Sequence, residues 1–251
     1  MRIAIIGYGK MGHEIEEAAR QKEMDIVTID RDTGTGKKVA DFKEINEQSL
    51  KDVDVCIDFT HPDSAVENIK KISALGKNIV MGTTGWYNHM DEVKKIIKDT
   101  NIGFIWSGNF SIGVNMFFRM VESAAKVVNS VEDYDIFLHE FHHKNKADKH
   151  SGTAEMIAKI LVENISRKDK VLYNHLGSKI NDNELHVSST RCGNIPGTHI
   201  VGFDSLADTI ELKHTARNRK GFALGAVLAA EFIHGKKGFF NIDDMMKEII
   251  K

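Results

Sequence analysis

Residues 2–12, RIAIIGYGKMG, decide the fold. The apolar run RIAII leads into Gly7, Gly9 and Gly12, and Met11, Ile15, Ala18 and Ala19 then recur at helical spacing, so the segment reads as strand, glycine turn and helix. Each glycine has a task in such a turn. Gly7 permits the tight bend, Gly9 lets a diphosphate approach the backbone, and Gly12 lets the helix lie close to the strand. Backbone N–H groups are left pointing at the phosphates from the positive end of the helix. A GxGxxG string alone carries little weight, but here a second apolar run, IVTI at 26–29, ends at Asp30, 18 residues beyond Gly12. A ribose-binding acid belongs at that place.

Working outward, the alternation of strand and helix continues through VDVCIDF at 53–59, a helical 64–75, NIVM at 78–81, a helical 89–98 and IGFIW at 102–106. Five strands alternating with helices predict a doubly wound, Rossmann-type parallel sheet over residues 1–108. Ligands of such sheets lie beyond the carboxyl ends of the strands, which directs attention to Thr60, His61 and Pro62, to Gly82, Thr83, Thr84 and Gly85, and to Gly108, Asn109, Phe110 and Ser111. The expected cofactor contacts are Gly7, Tyr8, Gly9, Lys10, Met11, Gly12, Asp30, Arg31, Gly82, Thr83, Thr84, Ser107, Gly108, Asn109 and Phe110. Asp30 suits the ribose hydroxyls of NADH, whereas Arg31, Lys37, Lys38 and Lys10 can attract the 2′-phosphate of NADPH, so either cofactor is expected.

The second half changes character. After a helix at 112–127, DYDIFLH at 133–139 alternates with period 2, and further strands are expected at 184–190, 197–203 and 207–213 before helix returns at 220–234. Strands without intervening helices imply a mixed or antiparallel sheet, hence a smaller α+β domain over 109–219, with C-terminal helices from 220–251 packing back on the first domain.

Composition narrows the class. With 28% charged and 41% hydrophobic residues and a net charge of −2, the chain has no basic field for nucleic acid and no excess charge that would keep it unfolded. The longest apolar runs, such as ALGAVLAA at 223–230, are far short of the ~18 residues that span a bilayer, and no signal-peptide core opens the chain, so a cytoplasmic protein is expected. Two cysteines, Cys56 and Cys192, exclude a disulfide framework or a four-cysteine zinc site, and Cys56 reads as a small buried hydrophobe.

Residues 139–153, HEFHHKNKADKHSGT, carry four of the twelve histidines together with Lys144, Lys146 and Lys149. His139, Glu140 and His143 spell HExxH, which on a helix would put two imidazoles over a zinc ion. The preceding strand argues otherwise. Positions i and i+4 of a strand are ~13 Å apart, and no third ligand follows at metalloprotease spacing, so no metal is expected. The segment instead suits an anion-binding, proton-donating loop. Imidazoles titrate near neutral pH, and Ser151, Gly152 and Thr153 open a helix whose N-terminus can cradle a carboxylate or phosphate. The simpler alternative is a helix cap beside a solvated basic loop. A dinucleotide domain joined to an anion cradle points to hydride transfer to a small acid.

At this point the chain resembles a known family. EFHHKNKAD at 140–148 followed by SGTA at 151–154 is similar to the signature of the dihydrodipicolinate reductases of lysine and diaminopimelate synthesis. DFTHP at 58–62, GTTG at 82–85, NFSIGVN at 109–115, RCGNIPGTH at 191–199 and the stretch from His214 to Ala226 match in family order, so the resemblance covers nearly the whole chain. It implies a reduced nicotinamide cofactor delivering hydride to a cyclic, unsaturated dicarboxylate, with His142 as proton donor and Lys146 pairing with substrate. His143, Ser151, Gly152, Thr153 and Thr84 would hold the carboxylates, and the active species would be a homotetramer. The family usually carries Ala-Pro before SGTA, where this chain has Lys149 and His150, so the loop loses a rigid proline and gains charge. Two other readings compete: a different amino-acid-pathway dehydrogenase, and a non-catalytic dinucleotide-binding regulator.

Overall fold

The computed structural model describes residues 1–31, 39–173, 177 and 179–250, which form two compact units, Met1–Ile112 with Arg219–Lys251 and Gly113–Asn218. Lys37 and Lys38 lie outside the described residues.

The first unit is built on six strands: β1 (Arg2–Ile6), β2 (Asp25–Ile29), β3 (Val55–Asp58), β4 (Asn78–Met81), β5 (Gly103–Trp106) and β11 (Gly238–Asn241). They lie in the order β11-β5-β4-β3-β1-β2, and every pairing is parallel. Successive side chains of a strand face opposite sides, and both sides here are apolar. Ile3, Ile5, Val55, Ile57, Val80 and Ile105 pack against α1 (Lys10–Gln21), α6 (Lys220–Ile233) and α7 (Ile242–Ile249). Ala4, Ile6, Cys56, Ile79, Met81 and Phe104 pack against α2 (Pro62–Ala74) and α3 (Met90–Thr100). Burial on two faces explains why these strands read as continuous apolar runs. The chain leaves β1 toward β2 on one side and returns to β3 on the other, so the strand order reverses at β1, where the glycine turn sits.

The second unit has a mixed five-stranded sheet, ordered β10-β9-β6-β8-β7. Its strands are β6 (Asp135–His142), β7 (Lys170–Tyr173), β8 (Glu184–Arg191), β9 (Thr198–Asp204) and β10 (Thr209–Thr215). β9 runs antiparallel to both β6 and β10, whereas β8 is parallel to β6 and β7. Ile136, Leu138, Leu185, Val187, Val201 and Phe203 on one sheet face form a core with α4 (Ile112–Asn129) and α5 (Gly152–Asn164).

Three features differ from the sequence reading. The parallel sheet has a sixth strand, β11, and the mixed sheet an extra one, β7; both are four-residue edge strands, too short to show a period. β6 continues three residues past His139. Its inward positions after Leu138 are Glu140 and His142, so the alternation persists while the apolar signal disappears.

Candidate active site

In the first unit a cavity of about 820 Å³ opens at the carboxyl ends of β1, β2 and β3, lined by Gly7, Gly9, Asp30, Arg31, Thr60 and Asn68 among others. The glycine turn fits a dinucleotide. Gly7 has φ +88°, and a Cβ there would sit 2.3 Å from the Phe59 carbonyl oxygen; one on Gly12 would sit 2.4 Å from that of Gly7. A Cβ on Gly9 would meet nothing within 4 Å and would project into the open space that a diphosphate must enter. The Asp30 carboxylate accepts the Tyr8 N–H at 2.6 Å and so ties the end of β2 to the turn. Arg31 is exposed, with Nη2 3.7 Å from Glu67 Oε1, and Lys10 is exposed at the start of α1.

Several of the expected cofactor contacts have their side chains engaged in the framework. The Tyr8 ring is buried in the core, its hydroxyl bonded to Glu16, and burial with the neighbouring Glu16 carboxylate pushes the phenol well above its usual range. Met11 packs partly against the same core, and Phe110 is 1% exposed within it. Gly82 packs under the Phe59 ring, which a Cβ would strike at 2.1 Å. Ser107 Oγ donates to the Asn109 carbonyl and accepts the Asn109 N–H, closing the 107–109 turn around Gly108. Thr83 is spent on Asp58, a fully buried carboxylate that the sequence analysis did not single out. Asp58 accepts bonds from Thr60, Thr83 and Asn68, and so fastens the loops after β3 and β4 to one another. Burial pushes its carboxyl up, against these hydrogen bonds. Thr84 is exposed beside Thr83, and it belongs to this unit rather than to the one carrying the other expected substrate contacts.

The second unit assembles a charged cluster from three strands. Register places Glu140 opposite His199 of β9 and Ser189 of β8, and His142 opposite Arg191. Glu140 is fully buried, and its Oε1 accepts from the Ser151 N–H at 3.0 Å, Ser189 Oγ at 2.8 Å and Arg191 Nη2 at 2.9 Å. Oε2 lies 3.1 Å from His142 Nδ1 and 3.6 Å from His199 Nε2. Burial alone would raise this carboxyl, but the donors from His142, His199, Ser151 and Ser189 outweigh it and hold Glu140 far below the usual carboxylate range.

Ser151 caps α5, its Oγ accepting the Ala154 N–H at 3.1 Å and lying 3.0 Å from His199 Nε2. Because its amide and hydroxyl are both engaged internally, Ser151 shapes the cradle, and Gly152 and Thr153 present the positive end of the helix. A Cβ on Gly152 would meet nothing within 4 Å, which leaves room for a ligand. Lys146 Nζ bonds Asp148 at 2.7 Å on the same loop, and His143 is half-buried at the end of β6. His150 stacks on Tyr173 with ring centroids 4.0 Å apart, and Arg191 donates to the carbonyls of Asp148 and Lys149. The loop that lost its proline is therefore held by a stack and a guanidinium.

The HExxH string does not assemble. His139 points to the other sheet face, where it stacks on Phe141 and lies 3.0 Å from Thr190 Oγ1. Among the described residues the donor atoms that do converge, within 4.8 Å of one another, are those of Glu140, His142 and His199. With three donors on Glu140 Oε1, one of them a guanidinium, this trio is built around a negative charge already compensated.

Burial lowers the titration of His199, His139 and His214, all in this unit. A histidine kept neutral by burial binds its proton more readily in the unfolded chain, so the stability present above about pH 6.5 is lost as pH falls. Thermal unfolding between pH 7 and pH 5 is expected to show a falling Tm, with a smaller slope in His214→Asn; an unchanged or rising Tm would contradict the assignment.

Comparison with known proteins places the chain. Residues 1–110 match the family model described as the dihydrodipicolinate reductase N-terminus, and residues 113–246 match that of the C-terminus. The chain belongs to the dihydrodipicolinate reductase family. A 4-hydroxy-tetrahydrodipicolinate reductase of Christiangramia forsetii is 36% identical over 251 residues, all of both chains. One from Methanoregula boonei is 36% identical over 95% of this chain and 94% of its own. Among solved structures, a dipicolinate-bound dihydrodipicolinate reductase from Paenisporosarcina sp. TG-14 superposes with TM-score 0.78 over 97% of this chain and 98% of its own, at 22% identity, a likeness of fold.

Proposed function

We propose that this reductase converts 4-hydroxy-tetrahydrodipicolinate to tetrahydrodipicolinate, the 4-hydroxyl leaving as water, with hydride from NADH or NADPH held on the first unit and a proton from His142 of the second. The bound nicotinamide supplies the hydride; this chain's residues bind, orient and protonate. One observation carries the assignment of roles: a single buried carboxylate, Glu140, touches the imidazole of His142 with one oxygen and the N-terminus of the Gly152–Thr153 helix with the other. The proton donor and the anion cradle are thereby held by one group.

Gly152 and Thr153 receive one substrate carboxylate at the helix end, and Lys146 exchanges Asp148 for the other, with His143 supporting. Hydrogen bonds to charged groups contribute roughly 1.5–3 kcal/mol each, which compensates the desolvation of a dicarboxylate. A cytoplasmic homotetramer is the form we assign to it; among the described residues no helix is long and apolar enough to cross a membrane. The test is a spectrophotometric assay in which the unstable cyclic substrate is generated in situ and NADH or NADPH consumption is followed, with chelator present because no catalytic metal is assigned. Substrate-dependent oxidation that survives chelation is expected; cofactor binding without turnover would leave the regulatory reading instead.

Cofactor choice turns on Asp30 and Arg31. The acid favours free ribose hydroxyls and repels a 2′-phosphate, while the exposed Arg31 attracts it, and at a solvated site each effect is about 1 kcal/mol. Preferences within roughly tenfold are therefore expected for the native enzyme. Arg31→Ala is expected to weaken NADPH selectively, more so as salt falls. A native preference above about a hundredfold, or equal effects on both cofactors, would show that this pair is not the discriminator.

A further inference from the structure

We infer that Glu140 is a positioning residue for His142: it fixes the imidazole so that the proton to be delivered leaves from Nε2. The inference rests on the proposed role of His142 and goes beyond it, because the dicarboxylate need not touch Glu140.

The geometry is specific. Glu140 Oε2 and His142 Nδ1 are both buried and lie 3.1 Å apart as an ion pair, and neither meets hydrogen-bond geometry with any group, the other included. Each is therefore available only to the other, apart from the longer 3.6 Å approach of His199 Nε2 to the same oxygen. The carboxylate is itself immobile, because Arg191, Ser189 and the Ser151 amide hold Oε1 from two strands and a helix end. A buried, ionised acceptor at Nδ1 requires the neutral ring to carry its proton there. Nε2 is then the atom that gains and gives the catalytic proton.

Room at Nε2 is supplied by Gly197, on the turn before β9. Its φ is +152°, and a Cβ built there would lie 2.9 Å from His142 Nε2. The absence of a side chain keeps the delivering nitrogen unobstructed, while the carboxylate holds the opposite one. Glycine and carboxylate thus fix the ring from its two ends. The convergence of Glu140, His142 and His199 is explained in the same terms, with His199 bridging the carboxylate to the Ser151 cap.

The experiment is a double-mutant cycle of Glu140→Gln and His142→Gln, with kcat and both KM values measured. Glutamine keeps an acceptor oxygen for Ser151, Ser189 and Arg191, removes the charge, and turns an NH2 donor toward His142 Nδ1 in place of the acceptor. E140Q is expected to lower kcat at least about tenfold with the cofactor KM unchanged, and to cause no further loss in the H142Q background. A native kcat in E140Q, or the same fold-loss in both backgrounds, overturns the inference and makes Glu140 scaffold only. A native kcat in H142Q overturns the proton-donor role itself, a result distinct from the first. Because E140Q puts a neutral group beside Arg191 and could unfold, nitrogen-15 NMR of the intact enzyme gives a second reading, assigned with H142Q. The neutral His142 ring is expected as the Nδ1–H tautomer, and the Nε2–H tautomer would overturn the inference.

Discussion

Alanine in place of His142 or Lys146 is expected to lower turnover at least about a hundredfold while NADH binding survives, as for loss of a positioned acid or charge partner. The two should differ in detail. Lys146 lies on a loop with its ammonium on Asp148, a carboxylate that is 63% exposed, so its removal costs at most about 1 kcal/mol of stability and cannot act through unfolding. Its loss is expected to raise the substrate KM as well as lower kcat, because the ammonium pairs with the ligand in ground and transition states alike. His142 is expected to affect kcat almost alone. Since truncating it leaves the buried Glu140 short of one neighbour, His142→Gln serves as the fold-preserving companion. Steady-state kinetics at saturating substrate with either cofactor, beside direct titration of NADH binding, check both. Near-normal turnover would remove the role of that residue, and a parallel loss of cofactor affinity would assign the segment to structure.

The sequence shows these two residues but not what holds them. Five apolar stretches announce the first sheet because its inner strands are buried on both faces, and that environment writes itself into sequence as unbroken Ile, Val and Ala. The second sheet is quieter. By hydropathy β6 stops at His139, because its next two inward positions, Glu140 and His142, are charged or polar; in the fold they occupy core sites and are completed by β8 and β9. A period-2 reading that weighs only hydropathy ends where the site begins. The signal that could have found Glu140 is the phase: counting alternate positions onward from Ile136 and Leu138 lands on it.

Partners far apart in the chain were illegible for a different reason. His199 lies 59 residues beyond Glu140, and only the antiparallel pairing of β9 with β6 makes them neighbours. Asp58 resembled an ordinary strand end, yet it carries the bonds that join the loops after β3 and β4. For Phe110 and Tyr8 the direction of the side chain was the illegible part. Both sit in loops rightly placed at the ligand-facing edge of the sheet, but their rings turn into the core. Position on a loop could be read from strand ends, whereas the direction of a side chain depends on what packs beneath it.

That dependence is sharpest at Gly225, within the apolar run 223–230. In a helix a glycine costs about 1 kcal/mol relative to alanine, so Gly225→Ala should stabilise α6 if propensity decided the matter. The opposite is expected. A Cβ at Gly225 would lie 1.7 Å from the carbonyl oxygen of Phe110 and 2.8 Å from its carbonyl carbon, so the helix packs directly on the backbone that follows β5. Backbone cannot turn aside as a side chain can, and Ala223, Ala226, Ala229 and Ala230 around it are all 0% exposed, leaving α6 nowhere to move. Overpacking of this kind typically costs 1–3 kcal/mol and more against rigid groups, so a net loss of about 3 kcal/mol is expected, or a fall in Tm of about 6–12 °C at this size. Leu224→Ala, next to it at a position 43% exposed, is the control and should shift Tm far less. Thermal unfolding followed by circular dichroism distinguishes the two forces: a Gly225→Ala enzyme that melts at or above the native temperature would mean that helix propensity outweighs the contact with Phe110, and that α6 can lift from the segment after β5.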